Sequence, residues 1–113
     1  MIGAEAQFSN FQALDIRVGT IFKVEPFPKA RKPALKLWLD FGPDVGVLQS
    51  SAQITELYDA EALLDRQVLG IVNFPKKQVA DFMSECLVLG VYSEQGVVLL
   101  SVERPCKNGD KLG

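Results

Sequence analysis

The sequence predicts an all-β fold: a small, closed, five-stranded Greek-key barrel with short helices, one of them between strands 3 and 4. Three observations predict it. Apolar residues recur mostly at the two-residue period of strands. Clusters of turn-forming residues separate the runs. A single helix-forming stretch interrupts the series after the third run. The length of 113 residues fits one small domain, taken as residues 1–113.

The elements follow in order. "SNFQALD" reads as a helical turn capped by Ser9 or Asn10. "DIRVGTIFKVEPF" sets apolar Ile16 and Val18, then Ile21, Phe22 and Val24. The alternation breaks near Gly19, which predicts a bend or bulge there. "ALKLWLDFG" alternates cleanly, with Leu35, Leu37, Leu39 and Phe41 on one face and Lys36, Trp38 and Asp40 on the other. "GPDVG" supplies a turn, and "VGVLQSS" a third strand. "ITELYDAEALLD" predicts one or two short helices, with Ser51 near the entry as a cap. "RQVLGIVNF" and "ECLVLGVYS" are strand-like apolar runs, and "GVVLLSVE" closes a hairpin through "SEQG". An OB-fold, with its helix plugging one barrel end, satisfies this order. An SH3-like barrel would not need the central helix.

Composition narrows the chemistry. Histidine is absent, which removes the usual general base and every Ser-His or Cys-His pair. Cys86 and Cys106 are too few for a structural zinc site and read as reduced thiols. No metal, cofactor or catalytic residue is expected, and a non-enzyme is favoured. No run approaches the roughly 20 apolar residues of a membrane span. "MIGAEAQF" lacks the basic and apolar regions of a leader, so a cytoplasmic location is expected.

Net charge is −2, yet charge is segregated. Arg17, Lys23, Lys29, Arg31, Lys32 and Lys36 precede residue 37 with only Glu25 among them, and the next thirty residues are acidic. A local patch recruits anions whatever the total, because screening limits each charge to about 8–10 Å. "FPKARKPALK" lies between two predicted strands and is held extended by Pro28 and Pro33. "NFPKKQVADFMS" forms a second basic loop, presenting Lys76 and Lys77 between the last two strands. In an OB-fold both loops lie on one side. Phosphates need several cations at once, so two converging basic loops favour RNA. "QSSAQIT" adds Gln49, Ser50, Ser51 and Gln53, groups that read base edges or phosphates. Trp38, on a polar strand face, and Phe82, inside the basic loop, are candidates for base stacking or for packing against a peptide or second protomer.

"FQALDIRVGTI", "FPKARKPALKLWLDFG", "QSSAQIT" and "VLGIVNFPKKQVADFMSECLVLG" together resemble the CsaA proteins. These are a branch of the tRNA-binding domain family also found appended to methionyl- and phenylalanyl-tRNA synthetases. The resemblance runs from about Phe8 to the C-terminus. It implies an OB-fold, a homodimer and tRNA as partner, with unfolded or precursor polypeptides as partners of an export-related chaperone. Carried over to matching positions, it implies RNA contacts at Lys36, Ser50, Ser51, Gln53, Asn73, Lys76, Lys77 and Ser84, with Lys29, Arg31 and Lys32 extending the rim. One departure is Asp81, where the family usually has glycine. A carboxylate there would face the phosphate path and neutralise Lys76 and Lys77, and the glycine would have served positive φ.

Overall fold

The computed structural model describes residues 1–113. Its organising element is β1 (Ile16–Pro26), long enough to serve two neighbours. Its first half pairs antiparallel with β4 (Gln67–Ile71), from Ile16 opposite Ile71 to Thr20 opposite Gln67. Its second half pairs with β2 (Leu35–Asp40), from Thr20 opposite Asp40 to Pro26 opposite Leu35. β3 (Val47–Ala52) flanks β2. With β7 (Leu87–Val88) on β4, the strand order is β3-β2-β1-β4-β7. The open ends meet where Glu85 N donates to the Gln49 carbonyl at 2.8 Å and the Ser50 hydroxyl donates to the Cys86 carbonyl at 2.9 Å. The result is a nearly closed barrel of five antiparallel strands, as the sequence predicts for an OB-fold.

The inward face of β2 gives the alternation its physical meaning. Leu37, Leu39 and Phe41 are fully buried and join Ile21, Ile54, Leu63, Val68, Cys86 and Leu99 in one core. Burying each such large side chain stabilises the fold by about 1.5–3 kcal/mol. β1 is bulged, but at Phe22: the register shifts between Ile21 and Lys23. Gly19 has another role. A Cβ there would lie 2.7 Å from the Phe41 ring, and one at Gly70, on the neighbouring strand, 3.1 Å from it. Both glycines make room for Phe41.

The helices are shorter than expected and differently capped. α1 (Phe8–Gln12) has Gln7 at its N-cap, with Gln7 N donating to Asn10 Oδ1 at 2.8 Å, and Ser9 is not the cap. α2 (Ala60–Leu63) lies between β3 and β4 as predicted, and sinks Leu63 into the core. Its cap is Asp59, whose carboxylate accepts from Ala62 N at 2.8 Å. Ser51 is no cap, because it lies within β3.

Two further differences bear on the site. "ECLVLGVYS" is not one strand. It breaks at Leu89 into β7 and β8 (Gly90–Ser93), which pairs with β9 (Gly96–Leu99) in a separate hairpin. And "NFPKKQVADFMS" is not an open loop. It folds into a small hairpin, β5 (Lys77–Val79) with β6 (Phe82–Ser84), turning at Ala80 and Asp81. No helix is long and apolar enough to cross a membrane.

Candidate nucleic-acid interface

The outward face of β1, β2 and β3 carries the polar residues that alternation excludes from the core. Strand register arranges them in rows: Glu25, Lys36 and Ser51 across one line, Lys23, Trp38 and Gln49 across the next. The β5–β6 hairpin folds over the β3 edge of this face. Gln49 Nε2 donates to the Met83 carbonyl at 2.8 Å, and Ser51 N donates to the Ser84 hydroxyl oxygen at 3.1 Å. The Trp38 indole N–H donates to Gln49 Oε1 at 3.1 Å. The hairpin and the β1–β2 loop thus meet beside Lys36.

Aromatic packing fixes that meeting. Phe82, Phe27 and Ala34 form a second buried cluster with Trp38 packed against it. Phe82 meets Phe27 edge-on at 5.5 Å between centroids and Trp38 at 5.8 Å. Phe82 is only 6 % exposed, so it is an anchor of the hairpin and not a surface platform for a base or peptide, as the sequence had suggested. Lys36 Nζ lies 4.9 Å from the Phe27 ring centroid and 5.2 Å from that of Phe82. An ammonium over ring faces is held by their quadrupoles, which presents Lys36 in one place. Lys23 sits similarly over Trp38 at 4.6 Å but also pairs with Glu25 at 3.4 Å.

The cations sort into two sets. Lys29 Nζ reaches Asp81 Oδ2 at 2.9 Å, and Lys76 Nζ reaches Glu85 Oε2 at 3.6 Å. Asp81 therefore clasps the β1–β2 loop and leaves Lys76 and Lys77 alone, contrary to the sequence expectation. The hydrogen bond from Lys29 holds its carboxyl below the usual carboxylate range. The positive φ of this turn belongs to Ala80, at 50°, and not to Asp81. Arg31, Lys32, Lys36 and Lys77 have no carboxylate partner. Among the cations that the sequence singled out for RNA, these four are left free to meet an anion.

The remaining candidates are placed unevenly. Ser50 is 1 % exposed with its hydroxyl engaged by Cys86, so its role is internal closure of the barrel. Asn73 accepts from Asp15 N and donates to the Ala13 carbonyl, both at 2.9 Å, clasping the α1–β1 junction. Ser51 and Ser84 lie at the hairpin seam, and Gln53 is exposed just beyond β3. Two shallow hollows flank the basic loop and share Pro33 and Thr55. One, about 400 Å³, is lined by Arg31, Phe27 and Ala34 among others. The other, about 360 Å³, includes Lys32, Gln53, Glu56 and Tyr92. Tyr92 was not legible as a site residue, because a tyrosine in an apolar run reads as core.

A nearly closed five-stranded barrel with a basic, aromatic-backed outer face defines a binding protein of the oligonucleotide-barrel class. Comparison with known proteins agrees. Residues 16–111 match the model of the family described as "Putative tRNA binding domain". The structure superposes on the CsaA chaperone of Bacillus anthracis with a TM-score of 0.91 and 48 % identity, over 97 % of this chain and 100 % of that one. The CsaA chaperone of Picrophilus torridus gives 0.93 and 43 %, over 96 % and 100 %. The methionine–tRNA ligase of Methanocaldococcus jannaschii is 30 % identical over 109 residues, which is 96 % of this chain but 16 % of that enzyme. The chain belongs to the tRNA-binding domain family, in its CsaA branch.

Proposed function

We propose that the chain is a non-catalytic tRNA-binding protein that acts as a homodimer. The observation that carries this reading is that Arg31, Lys32, Lys36 and Lys77 all lack a carboxylate partner, with Lys36 held over the rings of the aromatic cluster. Several free cations match a phosphate backbone better than any small anion. The ordered hydroxyl and amide groups of Ser51, Ser84 and Gln49 sit beside them and are suited to sugar and base edges. A homodimer would double this set of cations, and the exposed apolar pair Val91 and Val98, opposite one another on β8–β9, offers a surface for it.

A second activity, binding of unfolded or precursor polypeptides, is supported by the chaperone description of the two CsaA structures. The two readings separate by salt. RNA binding weakens steeply as salt rises, whereas apolar peptide binding does not.

Filter binding of tRNA tests the first reading. Lys77→Glu, on an exposed position, lowers affinity about tenfold or more at low salt. Lys76→Glu costs less, because Lys76 is already paired with Glu85. Unchanged affinity in Lys77→Glu, with an intact fold by circular dichroism, would overturn the assigned face.

A further inference from the structure

We propose that the hollow between Lys32, Gln53, Glu56 and Tyr92 is a subsite for one unpaired nucleobase of the bound RNA, one that carries an exocyclic amino group. The inference rests on the RNA-binding reading and adds a place and a base preference to it.

The Tyr92 ring is 96 % exposed, with no aromatic neighbour and no hydrogen bond to its hydroxyl. Such a ring on a strand leaves a whole π-face free. It pairs across the hairpin with Val97, which packs on the core and lines the same hollow. Directly opposed strand residues share a face, so Tyr92 projects on the hollow side. Val91 and Val98 project on the other side. The ring is therefore set apart from the apolar pair suited to a second protomer.

The polar groups of the hollow favour a nucleotide over a simple anion. Lys32 supplies a cation without a carboxylate partner. Gln53 and Thr55 have side chains that make no internal hydrogen bond, whereas the Ser93 hydroxyl is engaged by the Gly96 carbonyl. Glu56 places a carboxylate against Gly96, again with no cation paired to it. A phosphate cup would not carry that carboxylate. A base site would, because carboxylates accept from the exocyclic amino groups of cytosine, adenine or guanine, whereas uracil offers only its ring N3–H between two repelling carbonyl oxygens. The volume of about 360 Å³ is within the range of small-ligand sites, roughly 300–1,000 Å³. The position is continuous with the RNA face, since Gln53 follows β3 directly and Ser51 lies opposite Lys36.

The test uses the full chain with labelled single-stranded oligo-C, oligo-A and oligo-U and with tRNA, read by fluorescence anisotropy over a salt series. Tyr92→Ala lowers affinity for tRNA and oligo-C about tenfold without changing the salt slope, and Tyr92→Phe retains affinity. Lys32→Ala makes the slope shallower by about 0.7, the value of one single-strand phosphate contact. Wild type prefers oligo-C or oligo-A over oligo-U, and Glu56→Gln reduces that preference. If Lys77→Glu weakens binding but Tyr92→Ala does not, the subsite is wrong and the RNA face stands. If wild type binds none of these RNAs, both fall. If Tyr92→Ala weakens binding while halving the mass in light scattering, the ring belongs to a contact between protomers and the subsite is overturned.

Discussion

At Asp81 a single carboxylate decides how many cations the proposed RNA face offers. Lys29 holds it ionised by a hydrogen bond, so its pKa lies below the usual carboxylate range. The stabilisation from such a depressed group is present above the unfolded value, near 3.9, and is lost as pH falls through the folded value. Between pH 5 and 8 the clasp is therefore intact, and with no histidine in the chain tRNA affinity should be flat across that range in a pH series. Asp81→Asn frees Lys29, and tRNA affinity should rise no more than a few-fold at low salt, because an exposed pair is largely screened. Because Asp81 does not have positive φ, Asp81→Gly should do no better than Asp81→Asn in the same titration. Cys86 behaves oppositely. Burial pushes its thiol from 9.0 up to about 12. That contribution to stability is complete below the unfolded value and is lost as pH rises toward the folded one. Native protein at pH 8 should release only Cys106 to a thiol reagent, with Cys86 reacting after denaturation. None of these pairings was legible beforehand: Asp81 meets Lys29 across fifty-two positions of sequence, and periodicity reports only near neighbours.

Local pattern was informative where one element faced one environment. β2 shows this, since every inward residue from Leu37 to Phe41 was assigned by alternation alone. The β5–β6 hairpin shows the contrary case. Its strands are three residues each, too short for a period, and Pro75 with two lysines reads as loop. Phe82 looked exposed because its partners Phe27 and Trp38 come from distant elements. The bulge in β1 was anticipated, but it was assigned to Gly19 because glycine marks both bulges and close approaches. Two predictions belong here. Ala80, at φ 50°, occupies the first position of a two-residue turn that favours glycine. Ala80→Gly should stabilise the protein by about 1 kcal/mol in urea unfolding. Gly19→Ala should destabilise it by about 1–3 kcal/mol through crowding of Phe41. Adding Phe41→Leu should cost less in that background than in wild type, a coupling that a double-mutant cycle measures.

The whole molecule spans 39 × 37 × 28 Å, and its acidic helical segment reaches the cationic loop at Glu56, which lines one hollow with Lys32. If the homodimer forms, light scattering at micromolar concentration should give twice 12.4 kDa. The paired cations Lys29 and Lys76 have a further consequence, in the kinetics of encounter. Each carries a carboxylate of the same chain within 4 Å, so from outside the two pairs are dipoles, and the molecule as a whole is an anion of −2. A polyanion approaching from a distance meets no attracting field. It gains attraction only within about 8 Å of unpaired cations such as Arg31, Lys32, Lys36 and Lys77. Association should then proceed at an unsteered rate of roughly 10⁵–10⁷ M⁻¹s⁻¹, short of the 10⁸–10⁹ M⁻¹s⁻¹ of field-guided complexes. In stopped-flow mixing with tRNA, added salt should mainly accelerate departure and hardly change arrival. Asp81→Asn, which turns one dipole into a charge, should restore some dependence of arrival on salt.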